Sequence, residues 1–253
     1  MVNQASTPAA AQETETNLAG KAVVVTGGTT GIGRATAKLL VQRGAKVLIF
    51  GRHEKELNVA LREIGTGASG ITADQSKKED VERIFNEADG RIGGCDVLIN
   101  NAAVSGDALG ETNFDDIAYT VNANLVGYLA CTNQALRRMK GKSGGHIVNV
   151  GSMSADLREE GGEVYVATKA AIQAFSESLR KNANKQNIRV TLIEPGAVAT
   201  PIQEKTKEEE REKLEKMEMI LPEDIARCIL YCLTQPQRVD VVSVQIRPVK
   251  QII

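Results

Sequence analysis

Short apolar runs alternate with longer amphipathic stretches along almost the whole chain, and this alternation restricts the fold more than any other feature of the sequence. Several of the short runs are apolar at every position, which is typical of strands covered on both faces. Strands that alternate with helices predict a parallel, doubly wound sheet with right-handed crossovers, and therefore a three-layer α/β fold. Strands are predicted at 22–26, 46–50, 70–73, 96–100, 146–150, 189–194 and 241–246, and helices at 32–43, 54–64, 78–88 and 114–140.

A single domain accounts for most of the chain, because no linker, repeat or shift in composition follows residue 20. The first 19 residues are polar and are predicted to form a flexible extension, 1–19, ahead of a domain at 20–253. Residues 203–218 interrupt the alternation with a dense run of charges. We interpret the segment 201–221 as a lid over a site at the strand ends, with a solvated surface helix as the alternative.

The charges of the chain nearly cancel, with 31 Lys and Arg against 32 Asp and Glu, which argues against a nucleic-acid-binding protein. No apolar run approaches the roughly 20 residues that cross a bilayer. The N-terminus also lacks the features of a secretory or transit peptide. Four cysteines in apolar surroundings and only two histidines predict a reduced, cytoplasmic protein without a structural metal.

A glycine-rich turn joins the first predicted strand to the first predicted helix, where residues 26–33 read TGGTTGIG. Gly27 permits a tight turn, Gly31 allows close approach of a pyrophosphate, and Gly33 lets the helix pack on the strand. Free N–H groups and the positive end of the helix dipole then face the anion. The order of strand, turn and helix therefore predicts a dinucleotide site in a Rossmann fold.

The end of the second predicted strand indicates which dinucleotide is preferred. An NAD site normally places Asp or Glu there to bind the ribose 2′-hydroxyl, but this chain has Gly51 followed by Arg52. A guanidinium without a neighbouring carboxylate favours the 2′-phosphate of NADP(H) over NAD(H), although Arg52 also fits an ordinary surface arginine. Asp74 ends the third strand, where it can accept a hydrogen bond from the adenine amino group or cap the next helix.

Tyr165 and Lys169 are four residues apart and would share one face of a helix. A phenol has an unperturbed pKa near 10, but a neighbouring ammonium and a bound nicotinamide ring would lower this pKa. Tyr165 would then be a workable general acid/base. Ser152 follows the predicted strand at 146–150, at the edge of the sheet where ligands bind, and its hydroxyl can hydrogen-bond a substrate oxygen as charge develops there.

These motifs, in this order and spacing, resemble those of the short-chain dehydrogenase/reductase family over roughly residues 20 to 250. The resemblance implies NAD(P)-dependent oxidation of alcohols or reduction of carbonyls, with Tyr165 as proton donor or acceptor and Ser152 orienting the substrate oxygen. It also implies that Lys169 binds the nicotinamide ribose and that Asn124 holds a water in the proton relay. The matching motifs are TGxxxGIG at 26–33, NNA at 100–102, Asn124 in NLVG, Ser152, YxxxK at 165–169 and PG at 195–196.

The sequence leaves open the choice between two asparagines and the branch of the family. Asn124 is chosen because it lies three residues before Gly127, and Asn122 is the fallback. The usual NNAG of the family ends here in Ala103, and the Asp-Gly-Gly often found near the last strand is missing. The ending at 245–251, together with residues 161–165 and 222–226, is similar to the branch that acts on serine and other 3-hydroxy acids. Arg158 could pair a substrate carboxylate in such an enzyme, but an ordinary solvated surface arginine is the preferred interpretation.

The predicted partners are a small carbonyl or alcohol substrate and a second copy of the chain, with neither nucleic acid nor membrane. The resemblance implies a homotetramer or homodimer that packs through the helices around 114–140 and 164–181. An NAD(H) enzyme of the same type and a non-catalytic dinucleotide sensor are the alternatives. The predicted cofactor-binding residues are Gly27, Thr29, Thr30, Gly31, Ile32, Gly33, Arg52, His53, Asp74, Gln75, Asn101, Ala102, Ala103, Tyr165, Lys169, Pro195, Gly196, Val198 and Thr200.

Overall fold

The structure, a computed structural model, describes residues 16–203 and 206–251. Within these residues the strands are β1 (Ala22–Thr26), β2 (Lys46–Gly51), β3 (Ala68–Thr72), β4 (Val97–Asn100), β5 (Gly145–Val150), β6 (Ile188–Pro195) and β7 (Ser243–Ile246). The α-helices are α1 (Gly31–Gln42), α2 (Glu54–Ile64), α3 (Lys78–Ile92), α4 (Phe114–Val121), α5 (Gly127–Met139), α6 (Ser154–Leu157), α7 (Glu163–Ala183), α8 (Lys207–Glu215) and α9 (Pro222–Thr234). A π-helical turn spans Asn122–Val126, and short 3-10 turns span Asn184–Gln186 and Pro201–Gln203.

All of these strands belong to one sheet in the order β3-β2-β1-β4-β5-β6-β7, and every neighbouring pair is parallel. The strand order reverses between β1 and β4, which opens a crevice at the carboxyl ends of these two strands. This architecture confirms the predicted three-layer, doubly wound Rossmann fold.

Apolar side chains from the central strands alternate between the two faces of the sheet. Val23 and Val25 of β1 pack with residues of α1 and α9, such as Leu40 and Ile229. Val24 between them points to the opposite face, among residues of α3 and α5. The continuous apolar runs therefore arise because helices cover both faces, and this burial fixes the strand ends that border the crevice.

The predicted elements differ from the structure at several bounds and in one helix. The third strand covers Ala68–Thr72 rather than 70–73, and the last one begins at Ser243 rather than 241. The single helix predicted at 114–140 is α4, a π-helical turn and α5. Apolar periodicity depends only on local spacing. It therefore does not reveal a π-helical turn that is accompanied by tertiary contacts with residues distant in sequence.

The predicted extension and lid are only partly described. Residues 1–15 of the extension lie outside the described residues, whereas the stretch 16–19 packs on the domain and is not an extension. The Thr16 N–H donates to the Thr234 carbonyl at 2.8 Å, and Leu18 is 4% exposed. An apolar leucine in a polar stretch explains this shift of the domain boundary.

Within the described residues, no helix has the length and apolar character needed to span a membrane.

Candidate active site

The carboxyl ends of the strands β1 to β6 border one cleft of about 1180 Å³. Nearly all of the sequence-predicted site residues line this cleft, including Ser152, Tyr165 and Lys169. Gly33 and Asn124 are not part of the lining. The fold therefore brings together residues that are as much as 170 positions apart, from Gly27 to the turn after β6.

The glycine turn after β1 leaves no room for larger side chains. Gly27 has a φ of +62°, and a Cβ there would lie 2.8 Å from the Cα of Ala102. A Cβ on Gly33 would lie 2.3 Å from the Gly27 carbonyl oxygen. Because both residues lack a Cβ, the start of α1 can lie close to β1, as predicted for Gly33.

The N-terminus of α1 borders the same turn and carries no compensating negative charge. Thr30 is the N-cap residue, but its side chain makes no capping hydrogen bond, and the first turn of α1 contains no acidic residue. The positive end of the helix dipole and its free N–H groups are therefore available to an anion. This arrangement and the space kept by the glycines fit the pyrophosphate of a dinucleotide.

Hydrogen bonds between Thr26 and Asn101 join the glycine turn to the end of β4. The buried Thr26 hydroxyl accepts hydrogen bonds from the backbone N–H groups of Asn101 and Ala102, both at 2.8 Å. The Asn101 amide donates to the carbonyls of Thr26 and Gly27 at 3.0 and 3.2 Å. The NNA motif thus stabilises the shape of the turn, and Ala102 and Ala103 line the cleft beside it.

Arg52, Asp74 and Tyr119 meet at the outer end of the cleft. The Arg52 Nη1 donates to the Tyr119 hydroxyl at 2.7 Å, and this hydroxyl donates to the Asp74 Oδ2 at 3.0 Å. The other Asp74 oxygen accepts a hydrogen bond from the Ser76 N–H, whereas the N-cap residue of α3 is Lys77. Asp74 therefore does not cap the helix. His53 precedes α2 and lines the cleft beside Arg52.

The side chains of Gln75 and Asn124 hydrogen-bond backbone groups of segments that border the cleft. The Gln75 Nε2 donates to the carbonyls of Ala102 and Ala123 at 3.2 and 2.6 Å. The buried Asn124 side chain accepts a hydrogen bond from the Val104 N–H and donates one to the Val104 carbonyl, both at 2.8 Å. Asn122, the fallback of the sequence analysis, is exposed. The π-helical turn therefore directs Asn124, and not Asn122, toward the interior.

Tyr165, Lys169 and Ser152 lie together at the inner end of the cleft. The Lys169 Nζ is 5.5 Å from the centre of the Tyr165 ring and 5.4 Å from that of Tyr128. The amine donates to the Val150 carbonyl at 2.9 Å and is 2% exposed. The Ser152 hydroxyl donates to the Ser154 Oγ at 3.1 Å and lies near enough to Tyr165 to favour a lower phenol pKa. One helix face and one strand end thus place the three groups as their spacing predicted.

The turn after β6 and the C-terminal residues close the inner end of the cleft. Pro195, Gly196, Val198 and Thr200 line it, together with Pro201 and Ile202 from the start of the predicted lid. The Ala197 N–H donates to the Gln251 side chain at 3.0 Å, and the Lys250 N–H donates to the Met217 carbonyl at 3.1 Å. None of the described residues of α8 is buried. The lid function of the segment 201–221 stays a prediction.

Comparison with known proteins identifies the family of this chain. The sequence model of the family described as short chain dehydrogenase matches residues 21–211, which is most of the domain. The chain belongs to the short-chain dehydrogenase family. Its curated relatives include an uncharacterized oxidoreductase of Staphylococcus epidermidis, 36% identical over 230 residues, covering 90% of this chain and 97% of the relative. An uncharacterized oxidoreductase of Staphylococcus aureus (strain MRSA252) is 36% identical over 236 residues, covering 92% of this chain and all of the relative.

Two solved structures of similar proteins contain a nicotinamide dinucleotide. The 3-ketoacyl-(acyl-carrier-protein) reductase from Brucella melitensis complexed with NADH has a TM-score of 0.84 and 26% identity, covering 93% of this chain and 100% of that chain. The closed form of serine dehydrogenase complexed with NADP⁺ has a TM-score of 0.83 and 27% identity, covering 91% of this chain and 96% of that chain. The second likeness agrees with the weaker resemblance to serine dehydrogenases that the sequence indicated.

The charge state of the family's Tyr–Lys pair differs from the expectation. Burial lowers the pKa of Lys169 to about 7, so the amine is only partly charged at neutral pH. The pKa of Tyr165 is raised, chiefly by burial, although the hydrogen bond with Ser152 opposes this shift and the Glu159 carboxylate adds to it. The expectation of a lowered tyrosine pKa is therefore wrong for the protein alone, where burial is the largest cause of the raised value.

Replacing Glu159 with Gln should move the pH dependence of alcohol oxidation toward lower pH. In the predicted mechanism, alcohol oxidation requires the phenolate of Tyr165, so its rate rises as the pH increases through the tyrosine pKa. The negative charge of Glu159 raises that pKa, and its removal lowers it. The measurement is kcat/KM for alcohol oxidation against pH, at low and at high salt. The shift should shrink at high salt because ions screen the carboxylate.

Glu160→Gln is the matched control for this prediction, because the neighbouring carboxylate is exposed and does not line the cleft. A pH profile that stays in place, or moves to higher pH, in Glu159→Gln would contradict the electrostatic role of Glu159. An equal shift in both variants would mean that the effect comes from the overall charge of the loop.

Several residues in or beside this short-chain dehydrogenase site were not predicted from the sequence. Tyr119 is hydrogen-bonded to Arg52, which lies 67 positions away, and Gln251 reaches the turn after β6 from the other end of the domain. Tyr128 lies four residues after Asn124 on the inner face of the same helical region, and that spacing is the one signal that could have identified it. Glu159 occurs in a loop without a pattern, so its place in the cleft depends on the tertiary fold.

Proposed function

We propose that the protein is an NADP(H)-dependent oxidoreductase that transfers a hydride between the nicotinamide and a secondary alcohol, ketone or aldehyde. The observation that carries this proposal is the joint placement of Tyr165, Lys169 and Ser152 in a cleft that also contains a space for pyrophosphate at the start of α1. Proton transfer and dinucleotide binding thus have their residues in the same cleft. Family membership supports the reaction class.

The chain's own residues would handle the substrate oxygen and its proton. Tyr165 would protonate the carbonyl oxygen on reduction and take the proton back on oxidation. Ser152, which lines the cleft with Tyr165, would orient that oxygen as charge develops on it. Lys169 would bind the nicotinamide ribose beside the tyrosine, and Asn124 would hold a water of the proton relay. The bound nicotinamide supplies or accepts the hydride.

Two features of the outer cleft support NADP(H) over NAD(H). A Cβ on Gly51 would lie 2.6 Å from both the Oγ1 and the Cγ2 of Thr29, so the position where NAD sites carry a carboxylate has no room for a side chain. Arg52 lines the cleft next to this position. Its planar guanidinium can bind a 2′-phosphate through two N–H groups. The NADP⁺ bound by the similar serine dehydrogenase agrees with this preference, whereas the NADH of the similar reductase does not.

Replacing Arg52 with Ala should weaken NADPH binding about tenfold to a hundredfold, the loss expected for charge-assisted hydrogen bonds to a phosphate. NADH lacks the 2′-phosphate, so its binding should change by less than about threefold. Fluorescence titration of both dinucleotides measures the two dissociation constants. Arg62→Ala, which removes an exposed arginine outside the cleft, is the control. Equal losses for NADPH and NADH would contradict the role of Arg52 and favour the NAD(H) alternative.

The residues around the inner cleft favour uncharged carbonyl substrates. Arg158, the sequence candidate for binding a substrate carboxylate, is exposed and does not line the cleft. Glu159 and Asp107 do line it, and their charges would repel a carboxylate. The proposed substrates are therefore neutral ketones, diketones, keto esters and aldehydes rather than serine and other 3-hydroxy acids.

A substrate panel tests the proposed function directly. The purified protein is mixed with NADPH and neutral carbonyl compounds, and with NADP⁺ and 3-hydroxy acids, while the absorbance of NADPH is followed. We expect NADPH consumption with neutral carbonyls. Tight NADPH binding without turnover across the panel would favour the non-catalytic sensor, although the presence of Tyr165, Lys169, Ser152 and Asn124 argues against it.

The cellular setting and the assembly are part of the same proposal. We place the protein in the cytoplasm as a homotetramer or homodimer, without nucleic-acid or membrane partners. Val126 and Leu129, at the junction of α4 and α5, are 46% and 40% exposed and would be covered in such an assembly. Light scattering of the purified protein measures the number of copies.

A further inference from the structure

Three side chains from separate elements form a hydrogen-bonded chain at the outer end of the cleft. Arg52 follows β2, Asp74 follows β3, and Tyr119 belongs to α4. The Tyr119 hydroxyl accepts a hydrogen bond from the Arg52 Nη1 at 2.7 Å and donates one to the Asp74 Oδ2 at 3.0 Å. The guanidinium carbon lies 5.7 Å from the centre of the Tyr119 ring. All three residues line the cleft.

We propose that Tyr119 is a positioning residue that sets the dinucleotide preference by holding Arg52 ready for a 2′-phosphate. This inference rests on the proposed NADP(H) function and deepens it. The tyrosine itself binds no phosphate. It acts through Arg52, whose remaining N–H groups stay available while Nη1 is held by the phenol.

The direction of the hydrogen bonds carries this inference. Asp74 accepts the phenol proton, so the lone pairs of the Tyr119 oxygen are left to accept from Arg52. Because the phenol stands between them, Asp74 does not neutralise the guanidinium by direct pairing. Within the described residues, no carboxylate forms an ion pair with Arg52. The positive charge of Arg52 therefore remains available to a ligand.

This arrangement reduces the conformational entropy that the Arg52 side chain loses when it binds a ligand. An arginine side chain has many rotamers and loses their entropy when it binds a ligand. A hydrogen bond and ring contact with Tyr119 restrict these rotamers before the ligand arrives, so less entropy is lost on binding. The gain applies only to ligands that carry the 2′-phosphate. Asp74, by contrast, would contact the adenine that NADPH and NADH share.

Binding of 2′,5′-ADP and 5′-ADP to Tyr119→Phe tests the inference without any turnover. Phe keeps the ring but removes the hydroxyl, so the dissociation constant of 2′,5′-ADP should rise about threefold to tenfold, the effect of one lost hydrogen bond. The constant for 5′-ADP should change by less than about twofold. Calorimetry measures both constants, and KM for NADPH should rise while kcat stays the same. Tyr231→Phe, which alters an exposed phenol outside the cleft, is the control.

A double-mutant cycle with Arg52→Ala separates this inference from the proposed function. In the Arg52→Ala background, Tyr119→Phe should not weaken 2′,5′-ADP further. If Arg52→Ala weakens 2′,5′-ADP selectively but Tyr119→Phe does not, the role of Tyr119 is overturned and the NADP(H) preference stands. If Arg52→Ala weakens both ligands equally, the NADP(H) preference fails, and the inference fails with it. An equal loss for both ligands in Tyr119→Phe would indicate an action through Asp74 and overturn the inference.

Discussion

Replacing Tyr165 with Phe is expected to reduce turnover by about 10²- to 10⁴-fold, the usual contribution of a general acid/base, while nucleotide binding changes little. Phe keeps the ring, whose centre is 5.5 Å from the Lys169 amine, and it removes only the hydroxyl. The substrate oxygen would then lack a proton donor at the inner end of the cleft. Steady-state kinetics with the best carbonyl of the panel and titration with NADPH measure the two effects.

Tyr128→Phe is the matched control for this prediction, since the Tyr128 ring lies at a similar distance from the Lys169 amine. Its ring is 5.4 Å from the amine, its hydroxyl donates to the Val150 carbonyl at 3.1 Å, and it is fully buried outside the lining of the cleft. Removing this hydroxyl should lower the free energy of unfolding by about 1 kcal/mol and leave most of the turnover. Full activity in Tyr165→Phe, or an equal loss in both variants, would contradict the assignment of Tyr165.

The parts of the site that the sequence predicted are those that depend on local spacing and on strand ends. Gly27 lies in the turn between β1 and α1, and Gly33 lies in the first turn of α1, so their positions follow from the order of elements. Tyr165 and Lys169 share a helix face because they are four residues apart. Ser152 joins them because parallel strands end at the same edge of the sheet. The family resemblance adds the order of these motifs along the chain.

The parts that the sequence could not predict depend on tertiary contacts. The Arg52–Tyr119 hydrogen bond joins residues 67 positions apart, and neither residue type is unusual on a surface. The π-helical turn that orients Asn124 coincides with hydrogen bonds from Gln75 and to Val104. The amphipathic pattern of 114–140 contains no sign of these partners, so it predicts one continuous helix.

The directions of the pKa shifts of Tyr165 and Lys169 could not be predicted from the sequence for a related reason. Spacing places the Lys169 amine near the Tyr165 phenol, and an ammonium at that distance would lower the phenol pKa. Desolvation, however, depends on how completely the fold excludes water from both groups. Lys169 is 2% exposed, and burial is the cause of its lowered pKa. A four-residue motif cannot contain that information.

Replacing Lys169 with Met is expected to stabilise the fold at neutral pH and to reduce turnover at least about a hundredfold. Burial lowers the pKa of Lys169 from 10.5 to about 7, so protonation of the amine favours the unfolded chain. This cost to the native state is fully present below about pH 7 and disappears as the pH rises toward 10.5. Met fills a similar volume without a charge, and such replacements of buried charges often stabilise by about 1–4 kcal/mol. Turnover should fall because Met cannot bind the nicotinamide ribose in the way proposed for Lys169.

Urea unfolding of the wild type and Lys169→Met at several pH values between 6 and 10 measures this difference. The variant should be more stable at pH 7, and the two curves should converge as the pH rises, because the native amine is then neutral and the unfolded amine approaches its own pKa of 10.5. The Val150 carbonyl keeps the hydrogen bond from Tyr128, which limits the loss caused by removing the amine. Lys181→Met, an exposed change on the same helix, should show neither effect. A variant that is less stable at every pH would mean that the Lys169 amine stabilises the fold, and the activity loss would then have a structural cause.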